Sequence, residues 1–307
     1  MSGARVEHMI VLRTVPAFAG LADDELAVVA GAVTERIVAP GEVLLAEGQR
    51  MSRTVVVAEG SVRMEEAGRV VKRSDRRDGV GILGMLADYR SERAVVADSR
   101  SRVLVLERDR LLDAMEEDFA VLAHVMRYVA GAIIETYLRL DLDFRAPERE
   151  RPPPPHLRVR DRELDLVERI LAVRQVPAFG RSSLDSVARY AKLLEQRFVA
   201  AGTLLWAEGD PCETYLHIVS GRMRGERRGG GGALDYGPPT MPGLFGVLSG
   251  RETRWYTATA ETDLVVLRVD REVILDLLED DFEMAARCLQ LSARRLIRFL
   301  ALRDAPT

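Results

Sequence analysis

Apolar residues along the chain alternate between two periods. Over residues 23–33, and again over 184–194, they recur at three- and four-residue spacing, which predicts a short helix in each place. Short runs rich in Val, Ile and Leu follow, cut by glycine, and these predict strands. Val43-Leu44-Leu45 and residues 54–57 form one set; residues 203–206 and 215–219 form another. Residues 103–106 and 264–267 read as late strands that lead into helices. The longest apolar stripe is Leu122, Met126, Val129, Ile133, Thr136 and Leu140, on a predicted helix over 119–140. A stripe of that kind buries against a core or against a partner helix.

These elements come twice, in the same order. Val15-Pro16-Ala17-Phe18 recurs as Val176-Pro177-Ala178-Phe179. In the same register, Val38-Ala39-Pro40-Gly41-Glu42-Val43-Leu44-Leu45-Ala46-Glu47-Gly48 falls on Val199-Ala200-Ala201-Gly202-Thr203-Leu204-Leu205-Trp206-Ala207-Glu208-Gly209, and Gly60 falls on Gly221. Both of those glycines are expected to supply a positive-φ turn. Near the end, Glu116-Glu117-Asp118-Phe119 matches Glu279-Asp280-Asp281-Phe282, two residues out of register, so a small insertion lies between. A repeat of this length reads as an internal duplication. It divides the chain into a first domain over 8–144, a Pro- and Arg-rich linker over 145–162 and a second domain over 163–307. Pro152-Pro153-Pro154-Pro155 favours an extended polyproline spacer.

Composition narrows the classes. The 307 residues are 47% hydrophobic and 30% charged, enough to build cores and too apolar for disorder. A net charge of -4 provides no global basic field for nucleic acid. Cys212 and Cys288 cannot form a disulfide framework, and with no leader-like N-terminus or membrane-length apolar run the expected location is the cytoplasm.

The repeated unit resembles the cyclic-nucleotide-binding domain family, which includes the sensor domains of the catabolite activator protein and of the protein kinase A regulatory subunit. The resemblance rests on VPAF before a helix, on APGEVLLAEG and AAGTLLWAEG, and on strands ending at Gly60 and Gly221. It implies an α+β fold: two tandem β-rolls of jelly-roll type with flanking helices. It also implies a phosphate-binding cassette of the form FGE-x-A-L, a short loop, then R-x-A-x-V-x-A. A buried phosphodiester needs a guanidinium fork and backbone N–H groups, and the ribose hydroxyl needs a buried acceptor, the cassette Glu. Here both cassettes depart from that form. In the first, Gly81-Ile82-Leu83-Gly84-Met85-Leu86 places Met85 at the Glu position; Ser91 falls on the Arg position if Ala97 closes the motif, and a shifted alignment puts Arg93 there. In the second, Gly243-Leu244-Phe245-Gly246-Val247-Leu248 places Val247 at the Glu position, while Arg254 falls on the Arg position, followed by Trp255. A site without its hydroxyl acceptor loses orders of magnitude in affinity. The tentative ligand-binding residues are therefore Gly246, Val247, Leu248, Arg254 and Trp255 in the second copy and Gly84, Met85 and Arg93 in the first. No cofactor is certain; the candidate ligand is a cyclic nucleotide or another small anion. Trp255 either stacks on a base or fills the roll.

Nothing in the sequence reads as catalytic: there is no nucleophile elbow, Walker loop or HExxH motif. Arg227-Arg228-Gly229-Gly230-Gly231-Gly232 lacks a following GK[ST] and reads as a hairpin loop. His8, His124, His156 and His217 are scattered, and Cys212 with His217 lacks the remaining ligands of a metal site. Residues 293–303 form a basic amphipathic stretch suited to an acidic partner, nucleic acid or a membrane surface, or to packing on its own roll as a solvated helix face. The chain stops at Thr307 with no helix-turn-helix after this helix, which disfavours direct DNA binding. The expected function is a non-enzymatic regulatory or adaptor protein that works through a protein partner, with ligand control in the second domain and a homo-oligomer through helices 119–140 and 282–302 as a further option. The alternative is a true cyclic-nucleotide sensor that switches a partner protein.

Overall fold

The computed structural model describes residues 3–75, 79–140, 144–145 and 162–303. The first copy opens with helices α1 (Gly3–Leu12) and α2 (Asp23–Ala32) and continues into strands β1 (Val33–Val38), β2 (Val43–Leu45), β3 (Arg53–Glu59), β4 (Val62–Glu66), β5 (Arg69–Ser74) and β6 (Gly79–Val80). The cassette helix α3 (Ile82–Ala87) precedes β7 (Ala94–Ala97) and β8 (Ser101–Glu107). Helices α4 (Arg108–Glu117) and α5 (Phe119–Leu140) and a short strand β9 (Phe144–Arg145) follow. The second copy repeats the plan: α6 (Leu166–Arg174), α7 (Leu184–Leu193), β10 (Glu195–Val199), β11 (Leu204–Trp206), β12 (Thr214–Ser220), β13 (Met223–Glu226), β14 (Leu234–Tyr236), α8 (Leu244–Leu248), β15 (Thr257–Ala260), β16 (Leu264–Asp270), α9 (Arg271–Asp280) and α10 (Phe282–Arg303). The Gly-rich stretch 227–232 falls in the loop between β13 and β14, and the polyproline linker lies outside the described residues.

Two compact units emerge. One comprises Met1–Val129 with Leu289–Thr307, the other Ala130–Cys288. In the first unit the strands form two four-stranded sheets, ordered β1-β8-β3-β6 and β2-β7-β4-β5. Their inner faces meet in a core of Val38, Leu45, Val55, Val57, Val62, Val95, Val103 and Val105. β-Branched side chains suit this role, since they pack well on a pleated surface. The second unit has sheets ordered β10-β16-β12 and β11-β15-β13-β14-β9. All pairings between strands of a roll are antiparallel; β14 with β9 is parallel. The architecture is thus the α+β tandem of rolls that the resemblance implies.

Register locates the insertion between the copies. Val57 pairs with Val103 across β3 and β8, and Ile218 with Val266 across β12 and β16, so these late strands stand two residues out of the early register. Gly81 and Gly243, each in left-handed conformation at the start of a cassette helix, are one residue out. One residue therefore enters before the cassette and one inside its closing loop.

The long helix α5 is apolar and long enough over Phe119–Arg139 to cross a membrane by length and composition alone, which the sequence reading did not anticipate. Its stripe is internal, however: Leu122, Met126, Val129, Ile133 and Thr136 are all buried. Among the described residues, no cluster of three His, Cys, Asp or Glu could hold a metal.

The turn glycines carry a strict requirement. Gly60 and Gly221 have φ of 84° and 86°. A methyl group at Gly60 would meet the Arg100 carbonyl and Ser101 Cα at 2.8 Å, and one at Gly221 would press on the Asp263 carbonyl and on Leu264 Cδ2 at 2.8 Å. Left-handed strain alone is about 1–2 kcal/mol for a non-glycine residue, and at each site the neighbours include a backbone carbonyl that cannot swing away. Gly60→Ala and Gly221→Ala are each expected to destabilise by roughly 2 kcal/mol or more, read as a lowered urea midpoint at unchanged m-value. An alanine tolerated within experimental error at either position would contradict this account of the turn.

Candidate functional site

Glycine opens each cassette helix because the chain must enter it left-handed: φ is 97° at Gly81 and 89° at Gly243. In both copies the first helical turn closes onto that glycine, by Met85 N–H to the Gly81 carbonyl at 2.9 Å and Val247 N–H to the Gly243 carbonyl at 3.1 Å. Met85 and Val247 therefore occupy the same place, and both are buried and apolar. Gly84 and Gly246 face a side chain from the preceding loop, Met51 in the first copy and Cys212 in the second, with Cys212 Sγ 2.7 Å from where a Gly246 Cβ would stand.

Backbone pairing in the closing loops fixes the arginine position. Arg254 accepts from Gly209 N–H at 3.0 Å and donates to the Asp210 carbonyl at 2.8 Å. Ser91 makes the same two bonds, accepting from Gly48 and donating to Gln49. The structure thus gives Ser91, and not Arg93, the place that Arg254 holds. Arg93 is at the surface, its Nε 3.0 Å from Glu66. Met51 and Met85 fill the first cassette, and Arg90 of its closing loop lies at the surface, its Nη1 donating to the Gly48 carbonyl at 3.0 Å.

Arg254 is different. It is 5% exposed, and its Nη2 donates to Thr214 Oγ1 at 2.9 Å. Nε and Nη1 are buried with no hydrogen-bond partner. The guanidinium lies 4.3 Å from the centre of the Trp206 ring. Gly243 lets it in, since a Cβ there would sit 2.8 Å from Arg254 Nη1. Burying a charge without a counter-ion costs several kcal/mol, and a desolvated cation–π contact returns about 2. Two directed donors are left over beside the cassette helix.

Around this arginine the second roll is packed with rings. Trp255 is stacked on Tyr137 of α5, with centroids 5.9 Å apart, and sits edge-on to Tyr256 at 4.7 Å. Tyr256 also contacts Trp206 at 5.6 Å and Tyr236 at 6.1 Å. Gly225 makes room for Tyr256, whose Cδ2 is 2.7 Å from the absent Cβ. Gly246, Val247, Leu248, Arg254 and Trp255 thus belong to one neighbourhood; Gly84 and Met85 form the equivalent apolar one, and Arg93 stands apart. Both cassettes lack a carboxylate where the helix would offer an acceptor to a sugar hydroxyl.

One polar cluster escaped the sequence reading. Tyr190 on α7 hydrogen-bonds Tyr215 Oη and lies 2.6 Å from His217 Nε2, both on β12. Phe179 packs on Tyr190 and His217 at 5.4 and 5.9 Å. Burial pushes the His217 imidazole down to about 3 and the Cys288 thiol, nearby on α10, up to about 12. His217 Nδ1 has no partner. In the first copy the equivalent positions are Val29, Thr54 and Val56, all buried. The signal was available in the repeat: three core positions that are small or aliphatic in one copy are Tyr, Tyr and His in the other.

A family model agrees with the duplication. The model of the cyclic nucleotide-binding domain matches residues 35–118 and 196–281. No curated protein matches. Among solved structures, the regulatory domain of Toxoplasma gondii PKA with cAMP is 16% identical, with 91% of this chain and 95% of that chain covered, at a TM-score of 0.36. The regulatory subunit of a cAMP-independent protein kinase A from Trypanosoma brucei is 15% identical over 99% of this chain and 90% of its own, at 0.38. The N-terminal domain of a transcriptional regulator from Streptomyces coelicolor A3(2) is 25% identical over 45% of this chain and 99% of its own, at 0.40.

The buried histidine makes a pH dependence. Its folded pKa, about 3, lies below the ordinary value of about 6.5. The unfolded chain therefore binds the proton first, so the contribution is complete above about 6.5 and is lost as pH falls towards 3. Wild-type stability is expected to fall more steeply across that window than that of His217→Gln, by roughly 1 kcal/mol per pH unit. Glutamine retains an acceptor for Tyr190 and does not titrate. Parallel acid limbs in urea melts of the two proteins would show that His217 takes up its proton in the folded state.

Proposed function

Because the chain belongs to the cyclic nucleotide-binding domain family, with one domain in each copy, we propose that it is a non-enzymatic, cytoplasmic regulatory or adaptor protein that acts through protein–protein contacts, under the control of a small anion at Arg254. The observation that carries this reading is the guanidinium of Arg254, buried with Nε and Nη1 unpaired. Replacing a buried ion by a well-packed apolar side chain is often neutral or stabilising by about 1–4 kcal/mol. A charge kept at that cost supports a ligand that the fold awaits. Val247 offers no acceptor to a ribose hydroxyl, and Trp206, Trp255 and Tyr256 already fill the neighbouring volume. Those two features favour a compact anion over a whole cyclic nucleotide. Among the described residues, the first cassette, with Met51, Met85 and Ser91, has no buried arginine in the place that Arg254 holds. Since the stripe of α5 is already buried, an oligomer through this helix would use its other faces.

Two measurements test the reading. Isothermal calorimetry of the full chain against inorganic phosphate, simple phosphomonoesters and 3′,5′-cyclic nucleotides is expected to give heat with the small phosphates that is lost in Arg254→Met. Methionine keeps the packing on Trp206 while removing the charge. The same variant is expected to melt no lower than wild type, and up to a few kcal/mol more stable. No heat with any ligand would remove the anion from the proposal, and a strongly destabilised Arg254→Met would make the arginine a structural residue.

A further inference from the structure

The basic face of α10 has a defined seat in the first unit. Gln290, Arg294 and Arg298 recur every fourth residue, which puts them on one side of the helix. Arg294 Nε donates to the Ala87 carbonyl at 2.7 Å, at the end of cassette helix α3. Gln290 Nε2 reaches Asp88 Oδ2 at 3.4 Å. Asp88, which follows α3, stands left-handed at φ 52°. Arg50 grips its carboxylate through two nitrogens, and that bond, ahead of the nearby arginines, holds the carboxyl below its ordinary range. Arg108 Nε donates to the Met85 carbonyl at 3.2 Å.

The last turn of α3 thus presents carbonyls and a carboxylate, and donors from α10 meet them. Free carbonyls at a helix end need such partners. The arrangement is particular to the first copy. At the end of α8 stands Ser249, with no carboxylate, and the positions of α5 that match Gln290, Arg294 and Arg298 are Arg127, Gly131 and Glu135. We propose that the first cassette has become an internal docking site, whose partner is this chain's own C-terminal helix, latched by Arg294 on the Ala87 carbonyl and by Gln290 on Asp88. This assigns the degenerate first copy a task that does not depend on the anion reading of the second.

Hydrogen exchange on the full chain tests the latch. In the double variant Gln290→Ala/Arg294→Ala, amides of residues 82–89 and 290–298 are expected to exchange faster together, by roughly tenfold, corresponding to about 1.4 kcal/mol. Strands β12 and β16 should keep their wild-type rates. Asp88→Asn, which tolerates the left-handed backbone, should speed the same two segments, and Arg294→Lys should restore part of the protection. Faster exchange in α10 alone, unchanged exchange in both segments, or a general rise that includes β12 and β16 would each overturn the proposal.

Discussion

A guanidinium withdrawn from water must be met by something, and in the second roll it is met only in part. Arg254 has one hydroxyl, Thr214 Oγ1, and one ring face, Trp206. Neither neutralises a charge. Much of the second cassette can be read as the consequence. Gly243 must lack a side chain so that Nη1 fits, and left-handed φ at that residue suits glycine for a second, independent reason. Trp206 must be aromatic at the position where the first copy has Leu45. Once Arg254 is replaced by Ser91 in the first copy, the pressure to keep a ring there disappears, and methionine side chains close the space. The two cassettes are alternative solutions to the same local backbone, one organised by a cation and the other by its absence.

The aromatic packing around Arg254 has a physical logic of its own. Rings supply both bulk and a negative face, so they fill a roll while lowering the cost of a cation nearby. The price is room: volume taken by Trp255, Tyr256 and Tyr137 is not available to a nucleobase. The same residues that make a buried arginine tolerable thereby narrow what it can bind. This is why a missing acceptor at Val247 and a crowded interior point in the same direction, although one concerns hydrogen bonding and the other shape.

How much of this could be read from the chain depended on what each residue must do by itself. The elements and their duplication were legible because Gly60, Gly221 and the runs of Val and Leu act through local conformation and periodicity, which the sequence displays directly; the roll itself came from the family resemblance. Arg254 was legible because the resemblance supplied a template for its position. The choice between Ser91 and Arg93 was not, since two alignments of a short loop are equally good until backbone pairing to Gly48 and Gln49 selects one. Trp206 on Arg254, Tyr137 on Trp255 and α10 on Asp88 were likewise hidden. Each joins residues far apart in the chain, and no periodicity encodes which side chain will face which.

The Tyr190–Tyr215–His217 cluster shows what duplication permits once the fold is secure. A single polar group placed where Val29 or Val56 stands would be buried without a partner, at a cost of about 1–3 kcal/mol, whereas Thr54 already donates its hydroxyl to the Val80 carbonyl at 2.7 Å. Three together satisfy most of one another's needs, and only Nδ1 of His217 is left over. Such a network is difficult to reach one substitution at a time from an apolar core, and difficult to leave for the same reason. It fastens α7 to β12 in the second roll by directed bonds, where the first roll has aliphatic Val29 and Val56, and its Thr54 bonds to β6 instead. Directed bonds admit few alternative packings, so the second roll holds its elements in a more narrowly defined geometry. That is the property a roll needs if it is to keep a half-satisfied arginine aimed at one place, and it is not required of a first cassette that presents carbonyls to a helix already attached to the same chain.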